Sequence, residues 1–161
     1  ARQCNETAYV AIVKDFSSIY LDAVETDKTV RVVTRVGCRL PVYCSAAGKV
    51  QIAYMNSEEL ENYISTTDFK AYTPNTITDR NALRQELRCV AEKGYAIDNE
   101  ELDPGVRCVS APIRDYTRRI VGAISISGPS IRFSNDRMEQ ELIPLVIRAA
   151  EEISGRFGFQ K

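Results

Sequence analysis

The chain has 161 residues, of which 44% are hydrophobic and 27% charged, and its formal net charge is −1. That describes one globular domain, large enough to bury a core without a disulfide or metal, and it shows no basic run with which to grip phosphates. Histidine is absent, which excludes a single-chain serine or cysteine hydrolase with an imidazole base and removes the usual nitrogen ligand of zinc.

Residues 1–5 read as a linker remnant and residues 6–161 as the domain. From Glu6 onward the texture is β. The runs TAYVAIV, SSIYLDAV and VRVVTRV, the last ending at Gly37, predict three strands in an antiparallel meander. After Leu40-Pro41 the period lengthens. Ala46, Val50, Ala53 and Tyr54 fall near helical spacing, which predicts a helix over 45–55 with Ser45 as its N-cap. A second helix starts at Asn56, with Glu59 three positions on. The polar loop AYTPNTIT leads to a third, which begins at Thr78 or Asp79, presents Leu83, Leu87, Val90 and Ala91, and ends at Gly94.

Strand texture returns at 95–97, CVSAPI and RIVGAISIS, the last two divided by a hairpin loop at 114–119. The final helix is expected over 135–157, with Met138, Leu142, Leu145, Val146, Ala149 and Ile153 on one stripe and a kink at Pro144. Strands, helices, strands, helix is the order of an α+β fold with a central antiparallel sheet.

Three segments carry candidate chemistry. In Cys44-Ser45-Ala46-Ala47-Gly48-Lys49 the small residues let a carboxylate approach the start of a helix; a tight strand–helix packing joint would look the same. In Ala123-Ile124-Ser125-Ile126-Ser127-Gly128 the period of two puts both hydroxyls on one face, where they need partners from the protein or a ligand. The third, DNEELDPGVRC, holds four acids in six residues without the ligand order of a calcium loop; a solvated acidic loop is its plain reading. The five cysteines are irregularly spaced and form no CxxC. With no secretory signal pattern and no apolar run near the ~20 residues of a membrane span, they read as reduced thiols of a cytoplasmic protein.

LPVYCSAAGK, YTPNTIT, GYAIDNEELDPGVRCVSAPIRD and VGAISISGP, in this order, resemble the C-terminal domain of the IclR family, the isocitrate-lyase-regulator type of bacterial transcription factor. The resemblance covers essentially the whole chain. It implies a GAF-like fold: a curved antiparallel sheet with helices on its faces and a small-molecule pocket. It also implies an operator-binding winged helix-turn-helix that would lie N-terminal to this chain. Carried over by position, the effector pocket falls on Ala46, Ala47, Asp98, Cys108, Ser125 and Ser127, with Val32 and Leu40 as apolar wall. Relatives often have Gly, Thr or Leu where this chain has Ser45-Ala46-Ala47, so pocket depth is this chain's own.

The function expected on this basis is a sensing domain that binds a small organic acid and uses no cofactor or metal. It catalyses nothing and relays occupancy through the geometry of a homodimer or tetramer. Operator DNA would be met only through the N-terminal domain, and no membrane is involved. Two alternatives stand beside it: a GAF-fold reductase working through Cys38, Cys44 or Cys108, and an assembly domain with a vestigial pocket.

Overall fold

The alternation of the first strand sets the architecture. In β1 (Thr7–Lys14), Thr7, Tyr9 and Ala11 are buried on one face, while Ala8, Val10 and Ile12 turn to the other. The computed structural model describes residues 1–33 and 36–160. Around β1 are built β2 (Ser17–Val24), β3 (Arg39–Pro41), β4 (Ala96–Asn99), β5 (Val106–Arg114) and β6 (Ile120–Pro129). The six form one antiparallel sheet in the order β3-β2-β1-β6-β5-β4. Register shifts at Val10/Ala11 and Ile113/Arg114 add local twist and help to curl it.

Helices cover both faces. On one, α5 (Ile143–Arg156) packs along β5, and its Val146 and Ala150 join Val109, Ile126 and Phe133 in the core. On the other, α1 (Ala46–Ile52) lies across β1, β5 and β6, with Ala47 and Val50 against Tyr9, Ala11 and Ala123. Outside α1, α2 (Ser57–Thr66) and α3 (Arg80–Lys93) bury Tyr63, Ile64, Leu83 and Leu87 against Val42 and Ile52.

The helix ends follow the cap chemistry in the sequence. Ser45 Oγ accepts from Gly48 N–H at 3.2 Å, Asn56 Oδ1 from Glu59 N–H at 2.8 Å, and Asp79 Oδ1 from Ala82 N–H at 2.8 Å. Gly94 closes α3 in the left-handed region at φ 77°. Gly48 is required for a different reason: a Cβ there would stand 2.4 Å from Val42 Cα, in the 3₁₀ turn Val42–Cys44 that leads into α1.

Three features differ from expectation. The third strand is β3, a few residues later than VRVVTRV. Thr29 and Val30 bend, residues 31–33 run irregularly, and Thr34 and Arg35 lie outside the described residues. Val30, Val33 and Val36 are exposed, none of the described residues of this stretch lies in a strand, and side chains hold it: Thr7 Oγ1 donates to Val32 O at 3.0 Å and Arg132 to Val30 O at 2.9 Å. The final helix is interrupted before Pro144. After α4 (Asn135–Arg137), Met138–Leu142 form a π turn in which Ile143 N–H reaches back to Met138 O, and the wider turn absorbs the proline that cannot donate. At the N-terminus, Cys4, in the segment read as a linker remnant, is buried beside Phe133 and Met138.

Candidate functional site

The sheet register brings the site together. Asp98 on β4 stands opposite Cys108 on β5, Cys108 opposite Ser127 on β6, and Ser127 opposite Thr7 on β1. These residues form one transverse row on the α1 face. The next row is Ala96, Ser110, Ser125 and Tyr9. Seven-residue α1 packs across the sheet here through Ala47 and Val50, and the first row lies beyond it under two irregular segments.

A cavity of about 170 Å³ opens over that first row. The sheet supplies Tyr9, Tyr20, Leu40, Asp98, Val106, Cys108 and Ser127. Val32, Val33 and Cys38 belong to one irregular roof and Leu102 and Asp103 to the other; Ser45 closes the wall beside α1. The roofs are fastened differently. The first hangs on the Thr7 hydroxyl. The second is tied to α1 by Lys49, whose Nζ donates to Glu101 at 2.7 Å, and to the Thr73 and Thr76 hydroxyls through the carbonyls of Glu100 and Glu101, each at 2.6 Å.

The wall is rich in neutral donors. Ser127 Oγ donates to Cys108 Sγ at 2.9 Å, and the rings of Tyr9 and Tyr20 meet at 4.3 Å between centroids. Burial first, and the neighbouring Cys108 second, hold both phenols well above their ordinary range. Burial also pushes the Cys108 thiol far up, and Cys44 up to about 12. A thiol kept protonated is a poor nucleophile. Asp98 is 4% exposed. Burial pushes its carboxyl up to about 7, against the pull of the Glu101 N–H, which donates to Oδ1 at 2.7 Å. Lys49, fully buried, is shared by Glu101 and by Glu86 at 2.8 Å; burial pulls its ammonium down, and the two carboxylates outweigh that. Among the described residues, no group of three or more Cys, Asp and Glu side chains is gathered to hold a metal ion.

Of the eight residues carried over from the sequence, Asp98, Cys108, Ser127, Val32 and Leu40 line this cavity. Ser125 stands in the second row, where its hydroxyl donates to Ser110 Oγ at 2.8 Å and Ser110 donates on to Ile124 O. Ala46 and Ala47 are buried in α1, Ala47 in the packing against the sheet. Tyr9, Tyr20, Asp103 and the Lys49 network were not anticipated. The alternation that aligned Ser125 with Ser127 also aligns Tyr9 with Thr7, a signal available in the sequence; nothing local foretells Lys49, whose partners lie 37 and 52 residues away.

A curled antiparallel sheet with helices on both faces and a small cavity over one of its rows defines a GAF-like, ligand-sensing type of α+β domain. The family model for the bacterial transcriptional regulator IclR C-terminal domain matches residues 1–155, and the chain belongs to the IclR family. It is 33% identical over 159 residues to the HTH-type transcriptional regulator KdgR of Escherichia coli K12, covering 99% of this chain and 60% of KdgR. To the HTH-type transcriptional repressor AllR of the same organism it is 36% identical over 155 residues, covering 96% of this chain and 57% of AllR. The crystal structure of Thermotoga maritima IclR superposes with a TM-score of 0.92 at 35% identity, over 98% of this chain and 64% of that one. The chain thus spans about six-tenths of the length of these relatives, which are transcriptional regulators rather than enzymes. Among the described residues, no helix is long and apolar enough to cross a membrane.

Proposed function

We propose that the cavity over the Asp98–Cys108–Ser127 row is the effector site of a cytoplasmic transcription regulator, and that the effector is a small organic acid. The observation that carries this reading is the convergence of three adjacent strands on one cavity that is roofed by irregular chain. Its volume, about 170 Å³, lies below the ~300–1,000 Å³ of sites for drug-sized ligands. Ser127, Tyr9 and Tyr20 supply hydroxyl donors for a carboxylate, keto or hydroxyl oxygen, while Val32, Val33, Leu40 and Leu102 enclose the carbon skeleton. Ala46 and Ala47 enter the reading as the packing that sets Ser45 in the wall, and Ser125 as the second row beneath.

Occupancy would order the two roofs and shift the balance between two geometries of a homodimer or tetramer, which the DNA-binding domain of the full-length protein would convert into operator affinity. Thermal unfolding against a panel of small organic acids tests the site. An acid at about 100 times its Kd should stabilise the chain by about 2.7 kcal/mol, and Ser127→Ala should diminish the shift. If no acid raises the midpoint, or the rise is unchanged in Ser127→Ala, the reading fails.

A further inference from the structure

An acid entering this cavity meets a charge deficit. The described wall carries two carboxylates, Asp98 and Asp103, and no lysine or arginine. Among the described residues, the ionisable and polar groups around Asp98 are acids or neutral donors, with one exception. Its own loop brings Glu101 and Asp103, β5 brings Cys108, and β6 brings Ser127. Tyr9 and Tyr20 face it from β1 and β2, Cys44 from the 3₁₀ turn before α1, and Cys38 from the roof. The exception is Lys49 of α1, already engaged by Glu101 at 2.7 Å and by Glu86 of α3 at 2.8 Å. Among the described residues that makes one buried cation, Lys49, for the two buried carboxylates Asp98 and Glu101, before any ligand arrives; Asp103 is exposed and Glu86 partly so. A further buried anion without counter-charge is costly, and two carboxylates that share a site resolve the conflict by holding a proton between them.

We infer that the cavity takes a monocarboxylic acid together with one proton, shared between the ligand's carboxylate and the Asp98 carboxyl. This rests on the organic-acid reading above and specifies its chemistry. The balance is simple: an ionised Asp98, a ligand anion and one proton from solvent become a neutral Asp98 carboxyl donating to the bound carboxylate, and no other bond changes. Burial has already brought Asp98 to about 7, so the proton is available near neutrality. A dicarboxylate would need a second proton and is selected against.

Calorimetry on this chain separates the possibilities, with pyruvate and L-lactate as monoanions, succinate as dianion and lactamide as neutral control. Titrations at pH 8 in phosphate and in Tris, whose ionisation heats differ, report the protons taken up. The expected result is close to one proton per monoanion at pH 8, affinity about tenfold weaker at pH 8 than at pH 6, and weaker binding of succinate. Asp98→Asn imitates the protonated state, and its amide oxygen can still accept from Glu101 N–H. It should bind the monoanions with no proton uptake and no pH dependence, which a merely structural role for Asp98 would not produce. Tight monoanion binding with no proton uptake overturns the inference and leaves the organic-acid reading standing; Arg35→Ala then tests a counter-charge outside the described residues. Absence of binding by every acid at both pH values overturns both.

Discussion

Two buried carboxylates at the same end of the sheet have opposite surroundings. Glu6, one residue before Thr7, is fully buried beside Gly128 and Phe133 and is met by three cations: Lys28 at 3.0 Å, Arg132 at 2.6 Å and Arg137 at 2.9 Å. Burial works to raise its carboxyl, but the hydrogen bonds of Arg132, Arg137 and Lys28 outweigh it and bring it down to about 2. Asp98 has one shared lysine in its neighbourhood and two acids beside it, and stands near 7. A cluster that is neutralised within the chain ties segments together: here the start of β1, the irregular stretch at 26–31, the 3₁₀ turn Ser130–Arg132 and α4. A cluster left short of counter-charge is completed by a proton or a ligand. The first holds the fold, and the second is where we propose that occupancy changes something.

Breaking the first cluster should have the largest effect. Glu6→Gln takes the shared carboxylate from Lys28 and Arg132 and leaves Arg137 only Glu141, and it should cost about 3 kcal/mol in urea unfolding at pH 7. Because Glu6 titrates lower in the folded chain than its ordinary 4.5, its contribution is complete above about pH 4.5. It fades as pH falls toward 2, a loss of about 3 kcal/mol. The variant should be flat in that window, and an unaltered acid limb would dissolve the contrast between the clusters.

Asp98→Asn should act with the opposite sign. The folded carboxyl titrates near 7 against an ordinary 3.8, so its contribution is complete below about pH 3.8 and lost as pH rises through 7. The ligand-free variant should therefore exceed the parent in stability at pH 8, by up to about 4 kcal/mol, and the gain should vanish near pH 4. Equal stability at pH 8 would place Asp98 with the neutralised acids.

The two serine rows give a smaller contrast. Ser127→Ala removes a donor from the cavity wall and should weaken an acid that binds there by roughly ten- to hundredfold, the worth of about 1.5–3 kcal/mol for a hydrogen bond to a charged group. Ser125→Ala removes the donor to Ser110 Oγ beneath α1, while Ser110 keeps its bond to Ile124 O, so it should cost about 1 kcal/mol of stability and leave affinity nearly unchanged. Calorimetry and unfolding on the pair decide this; equal affinity losses would join the rows into one site. The mildest effect is chemical. Cys38 and Cys89, half-buried, should react with a thiol reagent before buried Cys4, Cys44 and Cys108, and a bound acid should slow Cys38 of the cavity roof but not Cys89.

Much of the fold is legible because its signals are local. Ser45, Asn56, Asp79 and Gly94 each announce a helix end through their own side chain or lack of one, and the strand faces follow from alternation. What alternation cannot tell is what covers a face: Ser125 and Ser127 share one, yet Ser125 lies in the row beneath α1 and Ser127 under a roof. VRVVTRV reads as a strand since β-branched residues suit strands, but Val30, Val33 and Val36 stay exposed and no described residue of the stretch lies in a strand. Pro144 foretells a break in the last helix, not that a π turn before it would accommodate the ring. Asp98, Cys108 and Ser127 lie in segments singled out for their acids and their alternation, and the resemblance drew them toward one pocket; Lys49 with its two glutamates came by neither route, because a tertiary ion pair leaves no trace in spacing.

The most direct measurement is the carboxyl ¹³C resonance of Asp98, assigned by its loss in Asp98→Asn and followed from pH 4 to pH 9 with and without a saturating monocarboxylate. The expected midpoint is near 7 in the free chain, with the signal held at its protonated position through pH 8 when the acid is bound. A midpoint near 4, or one that the bound acid leaves unmoved, would contradict the claim that this carboxyl lines the effector site and is left for a proton to neutralise.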